Sequence, residues 1–158
     1  MSIKVLKFGG SSLADAEHFR AVADIVKSDP ERRYVVASAP GKRGSGDIKV
    51  TDLLYKCYQL AFDEADISEV FEEIENRYND IIHDLGIDLD LTEVFNKIRM
   101  SLLHNSGRDY IASRGEYINA MILAKYLDFH FIDAKKVIFF KEDGTFDSEK
   151  TNETLREC

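Results

Sequence analysis

Lys7, Gly9, Gly10, Ser11 and Ser12 are the residues of this chain best placed to do chemistry together, and that chemistry is the holding of an anion. They fall in the stretch KVLKFGGSSL, residues 4–13, where an apolar run (Ile3, Val5, Leu6, Phe8) ends in paired glycines and two hydroxyls. Glycines without a Cβ let backbone N–H groups come close to an anion. Lys7 adds a mobile positive charge one residue before Phe8 and the turn, and the serines add donors. A helix beginning after Ser12 would turn its free N–H groups and dipole toward the same place. The residues therefore suit a phosphate cradle at a strand–turn–helix junction. The stretch is neither G-x-x-x-x-G-K-[ST] nor G-x-G-x-x-G. Gly-Gly turns also join strands to helices where nothing binds, so the residues alone leave both readings open.

A second group lies at Ser113-Arg114-Gly115-Glu116, inside a helix that continues to Leu127. Mid-helix glycine costs about 1 kcal/mol relative to alanine, so it marks a close approach by something else. Glu116 sits one turn after Ser113 on the same face. Helix packing across Gly115 with Glu116 in solvent is the plainer alternative. Ser106-Gly107-Arg108-Asp109 has the S-x-x-D form of a capping box at the start of this helix. Between the two groups, residues 40–49 hold three glycines, a proline and the cations Lys42, Arg43 and Lys49. A loop of this length beside a site is either functional or a solvated surface loop.

The elements that must position these residues follow from periodicity. Residues 2–8 read as a strand. Phe19, Val22, Ala23 and Val26 recur at helical spacing from Asp15 to about Ser28. Tyr34-Val35-Val36-Ala37 reads as a strand buried on both faces of a parallel sheet. The resulting βαβ unit, with a right-handed crossover, brings Gly9-Gly10 and Ser38 to the same sheet edge. Thr51 is placed as the N-cap of a helix whose apolar face is Leu53, Leu54, Cys57, Leu60 and Ala61. Residues 66–85 form an amphipathic helix with an acidic outer face, stopped by Gly86, and another helix follows over Leu91–Leu102. Residues 129–133 and 137–140 read as strands, 142–144 as a turn, and 147–158 as the start of a polar helix.

The chain of 158 residues has a formal net charge of −8, with 44% hydrophobic and 32% charged residues. These values suit one globular domain and disfavour partners that are nucleic acid or anionic membrane. No apolar run approaches the ~20 residues of a membrane span, and there is no signal-peptide pattern. Cys57 and Cys158 are too few for a disulfide framework. Both read as reduced thiols of a cytoplasmic protein, Cys57 as a core residue.

Taken together, KFGGSSL at 7–13, Val36-Ala37-Ser38-Ala39, Thr51-Asp52-Leu53-Leu54 and Ser113-Arg114-Gly115-Glu116 resemble, in order, the amino-terminal part of the aspartate kinases. These belong to the amino acid kinase superfamily. The resemblance implies an α/β fold: the three-layer αβα, mainly parallel sheet of the amino acid kinase (carbamate kinase-like) fold, of which residues 1–158 are the amino-terminal portion. It places the remainder of the kinase domain, and the ACT regulatory domains, outside this chain.

The implied reaction joins ATP and L-aspartate to give ADP and 4-phospho-L-aspartate, the first step toward lysine, threonine and methionine. By the same resemblance Lys7 is catalytic and contacts ATP phosphates, with Gly9, Gly10, Ser11 and Ser12 around them. Ser38, Thr51 and Glu116 meet the aspartate, and Glu116 suits its α-ammonium as a charge-assisted acceptor. Mg²⁺ would bridge the phosphates largely through ATP oxygens and water, with no protein ligand assigned. The full-length parent is expected to be a homo-oligomer, and the chain alone inactive. Two alternatives stay open: a non-catalytic nucleotide-binding or dimerisation module built on the helices after residue 66, and a kinase of another small carboxylic acid.

Overall fold

The computed structural model describes residues 2–104 and 106–158. Strand β1 (Lys4–Phe8) and strand β2 (Arg32–Ala37) pair in parallel, with helix α1 (Ala16–Lys27) as the crossover. Asp15 caps α1 by accepting from the His18 N–H, which satisfies one of the donors a helix start leaves free. Helices α2 (Val50–Phe62), α3 (Ser68–Leu85), α4 (Thr92–Leu103) and α5 (Arg108–Leu127) then pack on one another, and α5, with α1, packs against β2. The short α6 (Ala134–Val137) and α7 (Ser148–Arg156) complete the described chain.

The core forms where the apolar stripes of α1 to α5 meet. Phe19, Leu53, Phe71, Ile74, Tyr78, Ile111, Ile118 and Ile122 are all fully or almost fully buried. Cys57 is among them, as its place on the α2 stripe predicts, and burial pushes its thiol up to about 12. Gly86 ends α3 in the left-handed region, φ 66°, with its N–H donating to the carbonyls of Ile82 and His83. That is the cap the sequence anticipates there.

Four expectations need correction. Tyr34 and Val36 are not buried on both sides: helices cover only the Leu6, Phe8, Val35 and Ala37 face, and Tyr34 and Val36 stay half exposed. The described residues thus contribute the sheet and one helical layer. Residues 129–133 and 137–140 do not form strands. An isolated strand leaves its N–H and C=O groups unpaired, whereas Asp133 accepts from the Lys135 N–H and caps α6. Phe140 makes a single antiparallel bridge to Phe146 around the 142–144 turn, where Gly144 has φ 80°.

Thr51 is not an N-cap. Lys49 holds that position and the helix starts two residues earlier than expected, at Val50, which is fully buried and whose N–H donates to the Pro40 carbonyl at 3.2 Å. Nor does the Ser106–Asp109 capping box form: Gly107 is the cap residue of α5, and no side chain closes it.

Candidate functional site

β1 ends in a tight 3-10 turn, Gly10–Leu13, and not in the first turn of an α-helix. The Ser12 N–H closes this turn on the Gly9 carbonyl at 3.0 Å. The N–H groups of Gly10 and Ser11 donate to no acceptor among the described residues; as the first donors of a helical turn they have no partner within it. Gly9 itself is extended (φ −75°, ψ 170°), a conformation any residue adopts, and a Cβ there would meet nothing within 4 Å. Neither backbone strain nor internal packing accounts for glycine at this position, which leaves free access from outside. Lys7 lies across from Val36 on the uncovered face of the sheet, exposed and without an ion pair to any described residue. Ser11 is exposed and Ser12 half buried.

Gly10 has a different reason to be glycine. A Cβ on it would lie 2.8 Å from the Ala39 carbonyl oxygen and 3.1 Å from the Gly41 nitrogen. The Gly41 N–H donates to the Gly10 carbonyl at 2.8 Å, so the loop after β2 lies directly on the turn after β1. Ser38 joins the same edge: its N–H donates to Phe8 O at 3.0 Å, and its carbonyl accepts from Asn119 Nδ2 at 2.7 Å.

Gly115 answers the packing alternative directly. A Cβ there would sit 2.8 Å from Ala39 Cβ and 3.2 Å from Leu54 Cδ1. Gly10 and Gly115 therefore touch one common residue, Ala39, which bounds their separation at roughly 12 Å by covalent geometry. Glu116 is exposed beside this contact. Thr51 precedes Leu54 by one helical turn and is directed to the same side of α2. The fold thus gathers the glycine turn, Ser38, Thr51 and the Glu116 segment at one end of the sheet.

The loop 40–49 is not a loose cationic flap. Arg77 of α3, only 3% exposed, donates to the carbonyls of Gly41 (2.8 Å) and Ile48 (3.0 Å) and pairs with Asp47 at 2.9 Å. Arg43 is tied to the same carboxylate, through Nε at 3.0 Å and Nη2 at 3.1 Å. These bonds, with both guanidinium charges, hold the Asp47 carboxyl well below the usual carboxylate range. Of the loop's three cations only Lys42 and Lys49 remain without an ion pair among the described residues.

Because Asp47's folded pKa lies below its unfolded value near 3.8, its stabilisation is complete above that value and fades as the pH falls toward the folded one. Asp47→Asn should cost about 2 kcal/mol at pH 7, with the difference from wild type shrinking below about pH 4. Urea denaturation at stepped pH measures this; a gap that stays constant to pH 2 would contradict it.

Two cavities, of about 400 and 130 Å³, flank Arg77 and Arg43 against Asp80 of α3. Neither is lined by Lys7, Gly9–Ser12, Ser38, Thr51 or Glu116.

Arg77, Tyr78 and Asn119 are absent from the residues singled out by sequence. Tyr78 falls on the apolar stripe of α3, and its hydroxyl donates to Gly115 O at 2.8 Å. A signal did exist for the other two: both interrupt apolar stripes, Arg77 between Ile74 and Ile81, Asn119 beside Ile118 and Ile122.

The glycine-rich strand exit, the facing loop and the helix bearing Gly115 lie on a parallel βαβ frame, and this chain belongs to the amino acid kinase family, which it matches over residues 2–157. Within that family the likeness is to aspartate kinases. The chain is 36% identical to aspartokinase 3 of Bacillus subtilis over 141 residues, which are 85% of this chain and 31% of that protein. It superposes on the aspartate kinase of Clostridium acetobutylicum with a TM-score of 0.96 at 46% identity, covering 99% of this chain and 36% of the other. Aspartokinase III of Escherichia coli, solved with aspartate and ADP, shares the fold at TM-score 0.77 and 23% identity, covering 99% and 37%. The chain therefore spans about a third of the length of these relatives, and corresponds to their amino-terminal part.

Proposed function

We propose that this chain supplies the phosphate-binding edge and part of the amino-acid site of an aspartate kinase. The observation that carries the reading is the shared contact of Gly10 and Gly115 with Ala39, which draws two separate motifs to one edge. A β-carboxylate oxygen of L-aspartate attacks the γ-phosphorus of ATP; that O–P bond forms, the bond to the β-phosphate oxygen breaks, and ADP leaves. Every partner in this step is anionic, so the protein's part is alignment and charge neutralisation.

Lys7 neutralises the transferring phosphoryl group. The amides of Gly9, Gly10 and Ser11 hold its oxygens, with the Ser12 hydroxyl nearby. Glu116 accepts from the α-ammonium of aspartate, while Ser38 and Thr51 line the same place. Among the described residues no group of three or more His, Cys, Asp or Glu is arranged to hold a metal ion. Mg²⁺ would be carried on phosphate oxygens and water, where its charge would screen the phosphates. The rest of the active site, the homo-oligomeric state, a cytoplasmic location and the reading of residues 1–158 as the amino-terminal part of one catalytic domain belong to this same proposal. No described helix is long and apolar enough to cross a membrane.

The test is binding followed by chemistry. Mg-ADP should shift the amide resonances of residues 9–12, and L-aspartate those of Thr51 and Glu116, while N-acetylglutamate, lacking the ammonium, should not. Glu116→Gln should weaken aspartate about 10- to 100-fold and leave Mg-ADP unchanged. Hydroxylamine trapping of acyl phosphate from Mg-ATP and L-aspartate reads out transfer itself. Equal response to acetylated and free amino acids would instead favour a kinase of another acid.

One observation favours a second reading, a non-catalytic nucleotide-binding or dimerisation module. Ile3, Val5, Tyr34 and Val36 form an uncovered apolar sheet face. A tight dimer by native mass measurement, indifferent to ADP and aspartate, would support it. The apolar stripes of α3 and α4, by contrast, are spent on the chain's own core.

A further inference from the structure

We propose that α3, which carries none of the residues assigned to ligand, positions both halves of the site through two adjacent side chains: Arg77 sets the phosphate turn and Tyr78 sets the Glu116 segment. The identity of the ligands rests on the reading above; the positioning is visible without them.

Arg77 grips the loop at both ends, at Gly41 O and at Ile48 O, with Asp47 between. Gly41 in turn donates to Gly10, the residue after Gly9 in the turn. A displacement of the guanidinium is thus passed to the phosphate turn through a single residue. Tyr78 is completely buried, and its hydroxyl donates to the carbonyl of Gly115, next to Glu116.

Adjacent helix residues diverge by about 100°. That is how one turn of α3 reaches the loop with one side chain and α5 with the next. The two side chains also carry polar groups that core filling does not require. Arg77 leaves its Nε buried without a partner among the described residues, a cost that an apolar side chain of similar volume would avoid. Burial, with the negative charge of Glu116 adding to it, raises the Tyr78 phenol well above its ordinary range, so it remains an O–H donor.

Arg77→Lys and Tyr78→Phe test this, since each keeps most of its volume and Tyr78→Phe keeps the ring beside Phe95. Without ligand, the carbonyl carbon resonance of Gly41 should move in Arg77→Lys while that of Gly115 stays, and the reverse should hold in Tyr78→Phe. With ligand, Arg77→Lys should weaken Mg-ADP about tenfold and spare L-aspartate, and Tyr78→Phe should weaken L-aspartate about tenfold and spare Mg-ADP. Purely structural residues would lower stability without this crossed selectivity.

If Arg77→Lys does not fold, Asp47→Asn loosens the same clamp from its carboxylate side and carries the same expectation. Variants that weaken both ligands equally, or neither, overturn the inference while the functional reading stands. Failure of the unaltered chain to bind either ligand overturns the functional reading and this inference with it.

Discussion

Gly41→Ala should destabilise the fold by about 3 kcal/mol, the upper end of what one added methyl costs in a packed site. The new Cβ would lie 2.6 Å from the Gly10 carbonyl carbon, 2.7 Å from the Ser11 nitrogen and 2.8 Å from the Gly10 oxygen. All three are backbone atoms of the turn after β1, so no side chain can rotate away. Relief requires the loop to lift off, which loses the Gly41–Gly10 hydrogen bond and pulls the Gly41 carbonyl from Arg77. Gly44→Ala and Gly46→Ala are the controls: nothing lies within 4 Å of either Cβ, so each should stay within about 0.5 kcal/mol of wild type. Urea denaturation of the three variants measures the contrast. A Gly41→Ala protein as stable as the controls would mean that the loop and the turn are not in contact.

Lys7→Met should do the opposite, leaving the fold alone and damaging the site. Lys7 is exposed, with no ion pair to any described residue, so its loss should change stability by less than about 0.5 kcal/mol. Under the proposed function it removes the positive charge closest to the phosphates. A charge-assisted hydrogen bond is worth about 1.5–3 kcal/mol, so Mg-ADP affinity should fall roughly 10- to 100-fold. L-aspartate binding should be nearly unaffected, because Glu116, Thr51 and Ser38 are untouched. Calorimetric titration with each ligand, beside a thermal melt, separates these effects. Unchanged affinity for Mg-ADP would remove Lys7 from the phosphate site. The two variants probe one turn from different sides, Gly41→Ala from the loop packed on it and Lys7→Met from the strand that leads into it.

The sequence by itself determined the local elements wherever an apolar stripe had a regular period. β1, α1, α3 with its Gly86 stop, and α4 are where 2- and 3.6-residue spacing places them. It also determined that Gly9-Gly10 and Ser38 share an edge, because a parallel βαβ unit permits no other arrangement. Periodicity failed where pairing decides. Residues 129–133 and 137–140 have strand-like composition, but a strand exists only with a partner to satisfy its backbone, and no described strand provides one. Tyr34 and Val36 looked buried because apolar runs usually are; which sheet face is covered depends on where the helices pack.

The site divides along the same line. Lys7, Gly9 and Gly10 are legible as residue types suited to an anion, whereas only the family resemblance ties Glu116 to an ammonium group. Only the tertiary structure decided why particular glycines are glycine: Gly10 for the loop, Gly115 for Ala39 and Leu54, Gly9 for neither. It alone showed that α3 holds the loop through Arg77 and the Glu116 segment through Tyr78. Those bonds join residues 36 and 37 positions apart in the chain. No local pattern encodes such a bond, because its donor and acceptor meet only after the helices have packed.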